Sequence, residues 1–438
     1  MRCLTMLILL WATVLPSAAV EPMEDALARL TRENEALTAR VAKLEAALEK
    51  IQTQLGAGQS EIKVPSAPIL TEATPSPELP PKPPLVELYG FVEVDVTRDF
   101  NNNDLGFPFG SSLDNRLFDI SAQPTRFGLK LHGPKIAGGI PTGKVEMDFN
   151  TSTGTETSPN LRLRHAFFRI DWPGSGYGFL AGQTYDVIAP LQTDTISYPV
   201  ENWTGDFGFR RPQVRIEKTF NLSEKSSLLL QGSLSKASSD VYVAPDGSAA
   251  ELVRIPVLQG RVALDCPVFG EQRSTFGFYG HWGRDTYNIA PGGANATLRT
   301  WSAGFDALVW FSPRFMLMVE GWRGKTMDTY FWWDGRVMTS MAEQNYYDNV
   351  ITAGGWATLT YKHSPKLRFN IGSGFDNPLE QTTYLDEDEY SLTSFLNFFY
   401  DIDAHWEIGA ELSNWMTKKE SGQEERKWRA QATFMYFF

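Results

Sequence analysis

The sequence predicts an all-β protein, a 16-stranded antiparallel transmembrane β-barrel preceded by an N-terminal α-helical coiled coil. Three observations predict it. Apolar and polar residues alternate with a period of two from Val86 onward, the connections between strands (here called joints) are alternately short and long, and the C-terminal strand is aromatic. No run of 18 apolar residues occurs in the 438-residue chain, so a transmembrane helix is not expected. Tilted strands cross lipid with only about 9–11 residues, of which half are apolar.

The composition argues against several classes of protein. Asp and Glu number 52 against 40 Lys and Arg, which gives a net charge of −12 and makes a nucleic-acid partner improbable. Two Cys and five His, without a cluster, predict neither a disulfide framework nor a metal site. Because no catalytic constellation is recognisable either, we expect no enzyme and no cofactor.

Residues 1–19 have the pattern of a secretory signal peptide. Arg2 supplies the positive charge, Leu4–Leu15 form the apolar segment, and Ser17, Ala18 and Ala19 provide an A-x-A-like cleavage site. The chain that follows is therefore expected to be exported.

Residues 20–56 predict a coiled coil, because apolar residues recur with alternating steps of three and four. The core positions are Leu27, Leu30, Asn34, Leu37, Val41, Leu44, Leu48 and Ile51. Arg40 and Glu45 flank two of these positions in a pattern that resembles the R-h-x-x-h-E motif of parallel trimers, whereas Asn34 by itself favours a dimer. We expect a homotrimer, with the dimer as the alternative from the coil alone.

Residues 57–85 form a proline-rich linker, with eight prolines between positions 65 and 84. Such a composition predicts an extended spacer that separates the coiled coil from residues 86–438, the barrel domain.

Sixteen alternating segments are predicted within the barrel domain. They begin near residues 86, 124, 143, 161, 177, 213, 226, 257, 274, 299, 313, 347, 366, 390, 404 and 426. Short turns at one rim and long loops at the other are typical of outer-membrane barrels. An even strand number places both ends of the barrel at the same rim, which the N-terminal coiled coil would make periplasmic.

Aromatic residues near the strand ends predict the girdles that face the two membrane interfaces. They are Trp172, Trp310, Phe311, Trp322, Tyr361, Trp406, Trp415 and Trp428. At the end of the chain, Phe434, Tyr436 and Phe438 alternate and resemble the C-terminal strand that the barrel-assembly machinery recognises.

Four segments of the first five strands carry a resemblance to a known family. They are Leu88–Val92 (LYGFV), Thr125–Gly128 (TRFG), Leu161–Ala166 (LRLRHA) and Leu180–Thr184 (LAGQT). With the coiled coil and the 16 strands, the chain resembles the DcaP-like trimeric porins of Gram-negative outer membranes. The resemblance implies passive uptake of small, often anionic solutes such as dicarboxylates. It also implies a homotrimer surrounded by outer-membrane lipids and lipopolysaccharide, with its coiled coil in the periplasm.

The same resemblance implies that loop 185–212, after the fifth strand, folds into the lumen and narrows it. Its acidic residues are Asp186, Asp194, Glu201 and Asp206. Alternation places a set of basic residues inside the wall of strands two to six: Arg126, Lys130, Lys144, Arg162, Arg164 and Arg215. We expect the loop acids to face this wall and the basic residues to favour anions. The alternative is that these charges pair with one another and only stiffen the barrel.

Two other functions remain open at this point. A carbohydrate-selective porin can also carry an N-terminal coiled coil, but it needs an aromatic track inside the lumen, where only Tyr89 and Phe91 are expected. A structural anchor would bind peptidoglycan through its coil and hold it with a plugged barrel.

Overall fold

The computed structural model describes residues 85–438 except 101–117, 151–153, 156, 189, 198–203, 237–254, 289–294, 326, 328–350, 380–387, 420–421 and 423. The predicted signal peptide, the coiled coil and the linker up to residue 84 lie outside the described residues, and so does Glu201. Those predictions therefore remain predictions.

The described chain forms strands throughout. They are β1 (Val86–Asp99), β2 (Phe118–Ser121), β3 (Arg126–His132), β4 (Ile140–Asp148), β5 (Gly154–Thr155), β6 (Ser158–Pro159), β7 (Arg162–Trp172), β8 (Tyr177–Tyr185), β9 (Arg210–Asn221), β10 (Ser227–Ser235), β11 (Val257–Pro267), β12 (Arg273–Asn288), β13 (Asn295–Ser312), β14 (Phe315–Lys325), β15 (Ile351–Ser364), β16 (Leu367–Pro378), β17 (Asp388–Asp401), β18 (Trp406–Lys419) and β19 (Glu424–Phe437). Within these described ranges, no helix is long and apolar enough to cross a membrane.

These strands build one closed antiparallel barrel. The sheet contains 17 strands, but β2 and β3 both pair with β1 and are two halves of one barrel strand, which leaves 16. Strands β5 and β6 form a separate small hairpin in the joint between β4 and β7. Each predicted strand start lies within four residues of an observed one, so the predicted 16-stranded barrel is confirmed.

The barrel closes where the C-terminal strand meets the first one. Main-chain hydrogen bonds of 3.1 and 3.2 Å join Phe438 and Gly90 in both directions, and β1 continues this pairing with β19 up to Asp99. Among the described barrel strands, closure removes the two sheet edges that would otherwise carry unpaired peptide groups. The side chains of Phe434, Tyr436 and Phe438 are exposed on the outside. Their recognition by the assembly machinery stays a prediction.

The polarity of the barrel is inverted relative to a soluble protein. On β1, Val92 is 46% exposed while the next residue, Glu93, is 6% exposed. On β18 the same contrast holds for Leu412 and Glu411, at 45% and 3%. Apolar side chains therefore cover the outside and polar side chains line the inside, as a barrel that crosses lipid requires.

The two rims differ in the length of their joints. One rim carries only short turns, at 133–139, 173–176, 222–226, 268–272, 313–314, 365–366 and 402–405. The other rim carries the longer joints, including 186–209, 236–256 and 326–350. The predicted alternation of short and long connections holds for most of the barrel, but it fails for 289–294 and 420–423, which are no longer than the turn at 133–139.

Three of the predicted girdle residues are placed differently. Trp322 is 5% exposed and Trp415 is 2% exposed, and both share the inward alternation of Glu320 and Glu411. Trp310 shares the inward alternation of Asp306 on β13. The prediction that they face the membrane interface is wrong, because strand parity decides the direction and nearness to a strand end does not. Phe311, Trp406 and Trp428 do lie exposed on the outside.

Candidate functional site in the barrel lumen

The described residues between β8 and β9 are 186–188, 190–197 and 204–209, here called the lumen loop, and they run inside the barrel. Val187 N–H donates to Gln259 Oε1 on β11 at 2.8 Å. Leu191 N–H donates to Glu320 Oε1 on β14, also at 2.8 Å. Asp194 then pairs with Arg368 on β16 at 2.6 Å. The loop therefore crosses to the wall opposite its own strands.

Further contacts fix the loop on that wall. Glu411 on β18 accepts hydrogen bonds from the main-chain N–H groups of Ile196 and Ser197 at 2.8 and 3.1 Å. Trp322 Nε1 donates to the carbonyl oxygen of Gly205 at 2.7 Å. Loop and wall also share an apolar core inside the lumen, formed by Ile188, Phe207, Val257, Tyr279, Trp322 and Met327. A packed loop with satisfied main-chain groups is a fixed partition of the lumen.

Gly205 is a point where the loop has no room for a side chain. Its φ is +87°, and a Cβ there would overlap the carbonyl oxygen of Gly355. We expect Gly205→Ala to loosen the loop, because a positive φ costs a non-glycine residue about 1–3 kcal/mol before any overlap is relieved. Hydrogen exchange of the Leu191 amide measures the effect. Gly422→Ala is the matched control, since Gly422 has φ +84° and open space around it; equal exchange in both variants would contradict the close-approach explanation.

Asp206 lies buried beneath the loop, beside Trp356 and Glu320. Burial raises the pKa of Asp206 to about 8, although a main-chain hydrogen bond from Phe207 acts in the opposite direction. Burial therefore favours the protonated, neutral form of Asp206 in the docked loop. The other titratable groups around Asp206 are Glu320, Asp306 and Tyr279, and Arg261 lies near them.

We expect docking of the lumen loop to weaken as the pH rises through about 8. The pKa of Asp206 is higher in the docked loop than its ordinary value of 3.8, so ionisation of Asp206 favours the released loop. The contribution of Asp206 to docking is therefore complete below pH 3.8 and is lost as the pH rises. Between pH 7 and pH 9 the docking equilibrium should shift by about tenfold. Hydrogen exchange of loop amides, corrected for intrinsic rates, measures this shift. Asp206→Asn should flatten it; a loop equally protected at both pH values would contradict the expectation.

Of the described acidic residues of the loop, Asp194 and Asp206 do not face the predicted basic wall, whereas Asp186 lies near enough to Arg215 of that wall to act on its charge. Asp186 is 4% exposed, binds Arg211 at 3.0 Å and accepts from Gln259 at 2.7 Å. Asp194 pairs with Arg368 on the opposite wall. The prediction that Asp186 and Asp206 line the solute path is wrong, because buried carboxylates must be neutralised or paired and these two are used within the loop's docking contacts. Asp194, with a side chain 44% exposed, is the loop acid that reaches solvent in the described part of the loop.

The predicted basic residues do lie on the inner wall of β3 to β9, but acids accompany them. The pairs are Lys130 with Glu87 at 2.7 Å, Lys144 with Glu146 at 2.9 Å, Arg162 with Asp148 at 2.7 Å, Arg164 with Glu146 and Asp148 at 2.8 Å each, and Arg215 with Glu217 at 3.6 Å. Charge pairing, the alternative considered from the sequence, is thus present at each of these five. Arg164 is 2% exposed and too buried to meet a solute directly.

Arg126 is the exception on this wall. Its guanidinium approaches Glu146 only at 3.9 Å, and its Nε has no hydrogen-bond partner among the described residues. The side chain is 27% exposed and lies over the ring of Phe91, with 5.1 Å from Cζ to the ring centroid. Arg126 therefore donates no hydrogen bond within the described residues, and its side chain is partly exposed although Nε itself is buried.

Arg126, Arg164 and Arg210 converge on Tyr185, and we call these four residues the arginine cluster. Arg164 Nη2 and Arg210 Nη1 each donate to Tyr185 Oη at 3.2 Å, and the charge of Arg126 acts on the same phenol. Sequence alternation missed Tyr185, because Gly182, with φ +129°, interrupts regular strand geometry just before it. The only available signal was the pair Arg210–Arg211 at the loop's exit.

Charge is distributed unequally across the lumen. The wall of β3 to β9 carries the arginine cluster together with Lys130, Lys144, Arg162 and Arg215. The wall of β13 to β18 carries mainly carboxylates: Asp306, Glu320, Asp376, Glu407 and Glu411. Within the described residues, the wall of β3 to β9 is thus the more basic of the two.

The fold is that of the outer-membrane porins. No protein-family model matches the chain, and no curated protein matches it either. Among solved structures, the chain is similar to an anion-selective porin from Comamonas acidovorans, with 10% identity and a TM-score of 0.52 over 81% of this chain and 99% of that one.

The likeness is stronger to one channel in particular. The outer membrane channel DcaP of Acinetobacter baumannii superposes with a TM-score of 0.64 at 21% identity, over 81% of this chain and 97% of that one. The resemblance expected from the first five strands is confirmed at the level of the fold. At such identities it is the fold that is shared.

Proposed function

We propose that this chain is an outer-membrane porin for the passive diffusion of small anionic solutes, with dicarboxylates as the expected class. The observation that carries the proposal is Arg126, a partly exposed arginine inside the barrel that donates no hydrogen bond to a neighbouring acid within the described residues. Arginine can bind a carboxylate through two parallel N–H groups, which favours carboxylates over spherical anions.

The surroundings of Arg126 support this role. Arg164 and Arg210 both donate hydrogen bonds to Tyr185 Oη. Their positive charge adds to the electrostatic potential near Arg126 without a direct contact to the solute. The acids that neutralise this wall, Glu146 and Asp148, are buried at 3% and 1% exposure. A passing solute therefore meets the bases first and the acids at greater distance, which favours anions.

The position of the lumen loop determines which part of the lumen is open to the solute and can select anions. It occupies the side of β11 to β18 and leaves the arginine cluster facing the remaining space. We propose that solutes pass between the loop and the wall of β3 to β9, where Arg126, Lys144 and Arg162 are partly exposed. No cofactor is required for diffusion along a gradient.

The assembly belongs to the same proposal. The short-turn rim, which holds both ends of the barrel, would face the periplasm, and the coiled coil would join three barrels there through its heptad core. Insertion would use the barrel-assembly machinery and the C-terminal aromatic residues Phe434, Tyr436 and Phe438.

A carbohydrate-selective porin is the second candidate, and the lumen favours it less. Its aromatic track would have to be exposed to the solute, whereas Trp322, Trp356 and Trp415 are all at most 5% exposed. Tyr89 and Phe91 are partly exposed, but they lie next to Arg126 and Lys144 and are covered by these cations.

Planar-bilayer recording with liposome swelling tests the proposal. We expect single-channel steps, a reversal potential of anion-selective sign in a KCl gradient, and faster swelling with a dicarboxylate than with a neutral sugar of equal size. Faster swelling with sugar would favour the carbohydrate porin. An absence of conductance steps would favour the peptidoglycan anchor. A cation-selective reversal potential would contradict the anion proposal.

A further inference from the structure

Four side chains that carry oxygen atoms meet on the inner face of the barrel where β1 pairs with β19, and we call them the seam cluster. They are Glu93 and Asp95 on β1 and Gln431 and Thr433 on β19. All four are at most 7% exposed. Asp95 lies directly opposite Thr433 in the register of the two strands. Glu93 points in the same direction as Asp95, because it lies two positions away along the strand.

Hydrogen bonds between the two strands hold these side chains together. Gln431 Nε2 donates to Asp95 Oδ2 at 2.8 Å, and Thr433 Oγ1 donates to Glu93 Oε1 at 3.3 Å. The carboxyl groups of Glu93 and Asp95 also lie within hydrogen-bonding reach of each other. The cluster therefore brings oxygen atoms from the first and the last strand of the barrel to one place on the inner wall.

Two oxygen atoms of the seam cluster accept no hydrogen bond. Asp95 Oδ1 and Gln431 Oε1 are both buried, and neither has a partner within the described residues. Both atoms are acceptors, so they cannot satisfy each other. Because a buried acceptor without a donor is costly, these atoms indicate a site for a group that attracts oxygen.

The negative charge of the seam cluster is also unbalanced. Asp99, further along β1, pairs with Arg429 at 2.7 Å. In contrast, neither Glu93 nor Asp95 forms an ion pair within the described part of the barrel. Arg126 and Arg429 act on these two carboxylates only from a greater distance. Two neighbouring buried carboxylates have to be neutralised, either by a proton that they share or by a cation.

The chemistry of the donors indicates which cation fits. Two carboxylates, an amide oxygen and a hydroxyl group are hard oxygen ligands, and together they carry a charge that a divalent ion balances. Ca²⁺ binds about 6–8 such oxygen atoms in flexible geometry, whereas Mg²⁺ requires a nearly ideal octahedron and keeps several waters. The described residues contain no group of three or more His, Cys, Asp or Glu that could hold a metal ion. The amide and hydroxyl oxygens are therefore a necessary part of this ligand set.

We propose that the seam cluster binds one Ca²⁺ ion and that this ion joins the first and last strands of the barrel. The ligands are the carboxylates of Glu93 and Asp95, the amide oxygen of Gln431 and the hydroxyl oxygen of Thr433, and water from the lumen completes the coordination. Sequence analysis did not predict a metal site, because Asp95 and Gln431 lie 336 positions apart in the chain. The site does not depend on which solutes pass through the lumen.

Calcium binding to the full-length protein, freed of lipopolysaccharide and divalent ions, tests this site. The probe is radioactive Ca²⁺ in equilibrium dialysis at constant ionic strength. The variants are Asp95→Asn and Gln431→Met, each of which removes a ligand from one strand and nearly keeps the side-chain volume. The matched control is Asp306→Asn on β13, which removes a buried carboxylate whose two oxygen atoms are both bonded by Arg261.

We expect Asp306→Asn to bind Ca²⁺ as the wild type does, and each seam variant to bind it at least about tenfold more weakly. In a second measurement, the thermal unfolding midpoint of the wild type should rise with Ca²⁺ and rise less with the same concentration of Mg²⁺. The midpoints of the two seam variants should respond to neither ion.

Three results would overturn the proposal. One is an absence of Ca²⁺ binding to the wild type, which would mean that a shared proton neutralises Glu93 and Asp95. Another is equal Ca²⁺ affinity of both seam variants and the wild type, which would place the ion elsewhere in the protein. The third is displacement of Ca²⁺ by an equal concentration of Mg²⁺. If one seam variant does not fold, the other variant and the wild-type measurements still decide between these outcomes.

Discussion

Replacing Arg126 by glutamate is expected to lower the anion-to-cation permeability ratio by at least tenfold. The change reverses a charge that lies at the solvent boundary of the arginine cluster. In a water-filled lumen, one unit charge at about 5 Å is worth about 0.8 kcal/mol, or roughly fourfold for the anion alone. Two units of charge therefore exceed tenfold. The reversal potential in a KCl gradient across a planar bilayer measures the ratio.

Two further variants make the Arg126 result specific. Arg126→Gln removes one unit of charge and should produce a smaller shift, of about fourfold or more. Lys218→Glu makes the same two-unit change at the short-turn rim, where Lys218 stacks on Tyr177 at 4.1 Å, and should leave the ratio nearly unchanged. If Lys218→Glu and Arg126→Glu shifted the ratio equally, net charge rather than the arginine cluster would explain selectivity.

Replacing Glu411 by alanine is expected to raise single-channel conductance and its fluctuation. Glu411 accepts from Ile196 and Ser197 of the lumen loop and also from Asn397 Nδ2 at 3.0 Å. Its loss leaves two buried main-chain donors without acceptors, at about 1–3 kcal/mol each. That is enough to release the middle of the loop and widen the lumen.

Controls for Glu411 separate its role in docking from a general loss of charge. Glu411→Gln keeps one carbonyl acceptor, so an intermediate conductance is expected. Glu424→Ala removes a carboxylate that is 44% exposed and pairs with Arg426 at 3.1 Å, away from the loop. An unchanged current in Glu411→Ala, with normal barrel folding, would mean that the loop does not limit conduction.

The barrel was predictable because its cause is local and repeated. In the pairs Val92–Glu93 and Leu258–Gln259, the apolar residue lies on the outer face of the barrel and the polar residue on the inner face. This pattern needs no knowledge of distant residues, so the number of strands and their starts followed from it. The basic residues on β3, β4 and β7 were placed correctly inside for the same reason.

The path of the lumen loop was not predictable, because distant contacts decide it. Leu191 is joined to Glu320 across 129 residues, and Ile196 to Glu411 across 215. No local sequence pattern predicts that these residues are partners. Asp194 and Asp206 were therefore assigned to the wrong wall. Trp322 was assigned to the membrane interface, although its indole N–H donates to the carbonyl oxygen of Gly205. Arg126 was predicted as one of six basic residues on the inner wall. In the structure it differs from the other five by its long contact with an acid, 3.9 Å to Glu146.

Thiol labelling in a lipid bilayer tests the central claim most directly, namely that the inner face of this barrel is wet and its outer face is in lipid. Lys144→Cys places a thiol on the inner wall, and Leu129→Cys places one on the outside of the neighbouring strand β3, where Leu129 is 39% exposed. Both are made with Cys266→Ser, which removes the free thiol of the barrel. An impermeant anionic thiol reagent reacts with thiolate in water. The account predicts rapid modification and a reduced current for Lys144→Cys and no reaction for Leu129→Cys; the reverse order of reactivity would contradict it.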